Sequence, residues 1–206
     1  MPEAQTSQAG PAVRLLTGFA GFGAGSLNLA ISSSVFAASA GPAAPPAVFA
    51  GTVAGAWGLA LLAGAVMFLA RDRLAGGPWA RYVLASAAAV HLAAIAFTPV
   101  APAAANLSLT QLSALLLTLM IIASLGWLRR AAVRQRGDLQ YRERQPVPTA
   151  PAGTGMRPGR LLLAAFAGAV LVAGITTPGL AASTAGQHAV PHGSHGNLRP
   201  DDHHRR

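Results

Sequence analysis

The sequence predicts an all-α, polytopic membrane protein of five transmembrane helices: a four-helix bundle, one further C-terminal span and a disordered histidine-rich tail. Three observations carry this expectation. Five runs are long and apolar enough to cross a hydrocarbon core of about 30 Å, which takes about 20 helical residues. Of 206 residues only 10% are charged and 52% are hydrophobic, whereas soluble domains carry about 25% charged residues. The 15 basic residues, all of them arginine, gather mainly in every second connection between the apolar runs.

The first span is expected from Leu15 to Ala38, after Arg14 and a short N-terminal segment, 1–14. It is the least apolar, diluted by four glycines between Gly18 and Gly25, by Asn28 and by Ser32 to Ser34. Were it not to insert, four crossings would remain. The second runs from Ala47 to Ala70, between Pro45-Pro46 and Arg71-Asp72-Arg73. The third runs from Trp79 to Thr98 and stops at Pro99; the fourth runs from Leu107 to Leu128 and stops at Arg129-Arg130. These four spans fill the region 15–130. A linker over 131–159 follows, basic at first and then rich in proline and glycine, which cannot continue a helix. The arginine-bearing stretch as far as Arg144 has the composition to prolong the fourth helix, against which Gly137 and Asp138 weigh. The fifth span lies within 160–182, from Leu161 to about Ala182, and 183–206 forms the tail.

Charge then assigns direction, because short loops rich in arginine stay on the cytoplasmic side. The connection Arg71–Arg81 holds three arginines and one aspartate; Arg129–Arg160 holds eight arginines against Asp138 and Glu143. The connections 39–46 and 99–106 hold none. Five crossings place the N-terminus inside and the C-terminus outside, in what the Ala-, Arg- and Gly-rich composition suggests is a bacterial cytoplasmic membrane. A pI near 11.8 does not point to nucleic acid, since the charge lies beside membrane segments where topology and anionic headgroups explain it. The expected surroundings are the lipid bilayer, with a membrane-protein partner or a second copy as further contacts. Trp79 and Trp127 fall at span ends, where indoles favour headgroups, and Trp57 falls within a span. Gly21-xxx-Gly25 and Gly51-xxx-Gly55 have the spacing that lets helices approach closely, either between spans one and two or in self-association.

Chemistry concentrates in the tail. His188, His192, His195, His203 and His204 lie among Pro191, Gly193 and Gly196, which preclude a regular helix but allow a chain to wrap an ion. Neutral imidazole is the commonest protein ligand for divalent transition metals. Asp201 or Asp202 adds a carboxylate. With no cysteine, and no methionine in the tail, the set suits Zn²⁺ or Cu²⁺ rather than Cu(I). The opposing expectation is a solvated polar tail. Pro178 to Ser183 also has the small residues of an export-signal cleavage site, so the tail is either released or, the favoured reading, tethered.

The sixth histidine, His91, sits within the third span, where an ionisable group is costly and raises a functional hypothesis of proton relay or haem ligation. The favoured expectation is a hydrogen bond to a neighbouring helix, with Asn28 and Thr118 as partners of comparable depth. GxSxG, HExxH and phosphate-loop motifs are lacking and only six residues are acidic, so no enzyme is expected. The function expected is metal handling or envelope homeostasis through the tail. The alternative is a non-enzymatic structural or assembly subunit packing against partner membrane proteins.

Overall fold

The computed structural model describes residues 9–38, 44–71, 79–97, 102–143 and 158–187. They form helices α1 (Ala9–Ala38), α2 (Ala44–Arg71), α3 (Trp79–Ala96), α4 (Pro102–Glu143), α5 (Pro158–Ala181) and the single turn α6 (Thr184–Gln187). The first five are each long and apolar enough to cross a membrane.

α1 and α2 form an antiparallel hairpin, with Gly21 beside Ala65 and Gly51 beside Phe36. α5 runs parallel to α1: Gly168 meets Leu16 and Phe19, and Gly179 meets Leu27. α4 runs against both, since Gly23 meets Leu117 while Gly179 meets Ser113. α3 lies antiparallel to α4, its first turn beside Leu125 to Arg134. This up-and-down order brings the helix ends carrying Arg14, Arg71, Arg81, Arg129 and Arg160 to one end of the molecule. The other end carries no arginine among the described residues.

The first span, diluted by glycine, asparagine and serine, is the centre of the fold. α1 packs on α2, α4, α5 and α6, and 67% of its most apolar window is buried, against 6–39% in the other four spans. Ala20, Ala24 and Leu27 are wholly inaccessible, packed with Ala114 and Leu117 of α4 and Val172 of α5. A helix enclosed by protein has little lipid to satisfy. Small residues that admit close neighbours therefore serve it better than bulky apolar ones. The lipid-facing load falls on side chains such as Phe49 of α2 and Leu162, Leu163 and Phe166 of α5, all strongly exposed.

Two details of the packing add to the expected order of spans. α5 packs on α1 and α4, whereas α3 packs on α4 alone among the described elements. α4 continues through Gly137 and Asp138 to Glu143, so the basic stretch after the fourth span is helical. Arginine, alanine, glutamine and leucine in that stretch are good helix formers and outweigh one glycine, which costs about 1 kcal/mol. At 42 residues and about 1.5 Å per residue, α4 is roughly twice as long as the hydrocarbon core is thick.

Candidate functional site

Leu84, Ala88 and His91 recur at helical spacing and form the buried face of α3 against α4. His91 is 5% exposed. Its Nδ1 lies 2.6 Å from Oε1 of Gln111 on α4. An amide oxygen only accepts, so Nδ1 is the donor in this bond. Nε2 is buried and has no hydrogen-bond partner among the described atoms. The interhelical bond is thus made, but by a residue that the sequence reading did not single out. Asn28 and Thr118 are turned to their own helices. Asn28 Nδ2 donates to Ala24 O at 2.8 Å and Thr118 Oγ1 to Ala114 O at 2.8 Å.

Register explains the change of partner. With His91 opposite Gln111, Leu84 seven residues earlier falls level with Thr118 on the antiparallel partner, so Thr118 lies about two turns from the imidazole. The signal available in the sequence was a glutamine within an otherwise apolar span, unusual in lipid for the same reason as a histidine.

The four glycines noted for close packing all lie at the α1/α2 contact. A Cβ on Gly21 would meet Ala65, one on Gly51 the Phe36 ring, and one on Gly55 the Ser32 hydroxyl. The closest backbone-to-backbone approach at this contact pairs Gly25 with Gly58. A Cβ on Gly25 would stand 2.9 Å from Gly58 O, and one on Gly58 would stand 2.8 Å from Gly25 O. One cross-helix bond adds to this seam, Ser32 Oγ donating to Gly51 O at 2.7 Å.

The tail histidines His188, His192, His195, His203 and His204 lie outside the described residues, but the segment from which they leave is described. Pro178 lies inside α5, and Gly179 allows the helix to approach Leu27 and Ser113. Thr110 Oγ1 of α4 donates to Gly179 O at 2.9 Å. The chain then turns: Ser183 Oγ accepts the Gly186 amide at 3.2 Å, the N-cap bond of α6. The Thr184 amide donates to Ser34 Oγ of α1 at 3.1 Å, and Gln187 Nε2 donates to Ala182 O at 2.9 Å. Ala182 and Ser183 are 8% and 2% exposed. The corner is fixed to α1 and α4 at the arginine-free end.

No group of three His, Asp or Glu side chains comes together among the described residues, which leaves the tail itself untouched as a ligand set. No family model matches the chain, and neither the curated proteins nor the solved structures contain a significant match. Function is therefore argued from the residues alone.

Proposed function

We propose that this protein is a multi-pass anchor in a bacterial cytoplasmic membrane, N-terminus inside, that holds a histidine tail outside to bind Zn²⁺ or Cu²⁺. Its role is accessory, in metal handling or envelope homeostasis. The observation that supports the reading is the fixed corner at Pro178–Gln187. A peptidase must draw an extended strand into its cleft, and here the small residues of the candidate cleavage site are helical or buried, with Ser183 engaged in the cap of α6. Release would require unpacking that corner, so the tail stays attached. Its first histidine follows directly after Gln187.

The assembly alternative is less well supported, because the glycine faces that motivated it are occupied by the chain's own α1 and α2. Calorimetric titration of the purified full chain in nanodiscs tests the metal role. Zn²⁺ or Cu²⁺ is expected to bind with a Kd tighter than about 100 µM, or roughly −5.5 kcal/mol. A chain ending at Gln187 is expected not to bind. Protons compete for imidazole nitrogen, so affinity falls as pH drops from about 7 to about 5.5. Binding that survives truncation, or is indifferent to pH, rejects the tail as the metal site.

A further inference from the structure

The arginine end of the fold is usually read as a topology signal, yet it has a shape. A cavity of about 880 Å³ opens between the start of α3 and the middle of α4, ringed by Arg81, Arg129, Arg130 and Arg134. Its floor is apolar, formed by Leu84, Ile122 and Leu125. Arg81 is held in place by its neighbour: its guanidinium stacks 4.7 Å from the Tyr82 ring centroid, and Nη2 donates to Tyr82 Oη at 2.9 Å.

A second hollow, of about 400 Å³, continues from the first, sharing Ala80, Leu84 and Leu125 with it. It lies between α2 and α3, lined by Trp57, Phe68 and Val83 over a base that includes Gly21 and Ile121. α2 and α3 do not pack on each other among the described residues, so this groove runs between them along the apolar length of the bundle.

A cluster of four cations at one mouth and an apolar channel leading from it match one class of molecule: charge at one end, hydrocarbon at the other. We propose that the joined cavities form a binding site for an anionic glycerophospholipid. Its phosphodiester is held by Arg81, Arg129, Arg130 and Arg134, and one acyl chain lies in the α2/α3 groove. Arginine suits the headgroup because its planar fork donates two parallel bonds to phosphate oxygens. Basic hollows between transmembrane helices on the cytoplasmic side take anionic headgroups in this way. The occupant also fills the gap that leaves α3 without a second helical neighbour. This inference does not depend on the metal-binding role of the tail.

The test uses the full chain in phosphatidylcholine nanodiscs titrated with brominated phosphatidylglycerol, read as quenching of tryptophan fluorescence, with Trp57 in the groove. Saturable quenching is expected. The variant Arg129→Gln/Arg130→Gln/Arg134→Gln should raise the half-saturating lipid fraction about tenfold or more. Ala80→Phe, which keeps every arginine and narrows the junction of the two hollows, should do the same with unchanged helicity. Arg136→Gln, on α4 but outside the cavity, should change it little. Non-saturating quenching, an equal effect of Arg136→Gln, or no effect of Ala80→Phe overturns the site. Full competition by millimolar inorganic phosphate overturns the acyl-chain part and leaves a simple anion site.

Discussion

At the scale of single residues, the bond between His91 and Gln111 joins the side chains of two spans. Interhelical polar pairs of this kind contribute about 0.6 kcal/mol on average and about 1.7 at most. A double-mutant cycle of His91→Ala and Gln111→Ala, followed by unfolding in bicelles, should return a coupling energy within that range. A coupling indistinguishable from zero would mean that the imidazole has another principal contact. The sequence made a hydrogen-bonded histidine legible, since a polar ring deep in a span needs a partner. It did not make the partner legible. Residue counts from span ends assume aligned ends, whereas in the structure His91 stands opposite Gln111, about two turns from Thr118.

At the scale of elements, the α1/α2 hairpin turns on backbone approach at Gly25 and Gly58. Gly58→Val is expected to destabilise the fold by about 1–3 kcal/mol or more, because the atom that it meets belongs to backbone and cannot rotate away. Gly64→Ala, on the same helix with nothing within 4 Å of the added carbon, should be neutral or stabilising by up to about 1 kcal/mol. Thermal melts of both variants in detergent check the contrast, and equal melts would remove the hairpin contact as the cause. Four of the glycines involved were visible in the sequence as paired spacings, but Gly58 stands apart from that spacing and was missed. The length of α4 was only partly legible in the sequence. Gly137 and Asp138 look like a stop, yet they are set among residues that favour helix on both sides.

At the scale of the whole molecule, the up-and-down order brings the arginine-bearing helix ends together, and the proposed orientation puts that end in the cytoplasm. Alkaline phosphatase fused after Arg206 should be active outside the membrane, and a fluorescent protein inserted in the connection 72–78 should report the cytoplasm. A cytoplasmic C-terminal reporter would reverse the tail's compartment and remove the setting for metal capture. The existence of five spans was readable from apolar length alone. Their arrangement was not, because hydropathy measures affinity for lipid and not position: α1 and α3 share the lowest hydropathy of the five, yet the first is enclosed by the bundle and the second lies at its edge. Weak hydrophobicity in α1 belongs to the axis of the fold rather than to a segment that stays out of it.

That central position has a consequence for biogenesis. α1 is synthesised first, yet two of its sides are closed only by α4 and α5, the last of which is complete about 140 residues after α1 ends. Until then the side of α1 at Gly23, which meets Leu117, Val172 and Thr176 in the finished fold, faces whatever surrounds the nascent chain. Nascent chains halted before α5 should linger at the insertion machinery or fall to membrane proteases, while the finished protein escapes both. Synthesis of this protein is, in effect, a wait for its final helix.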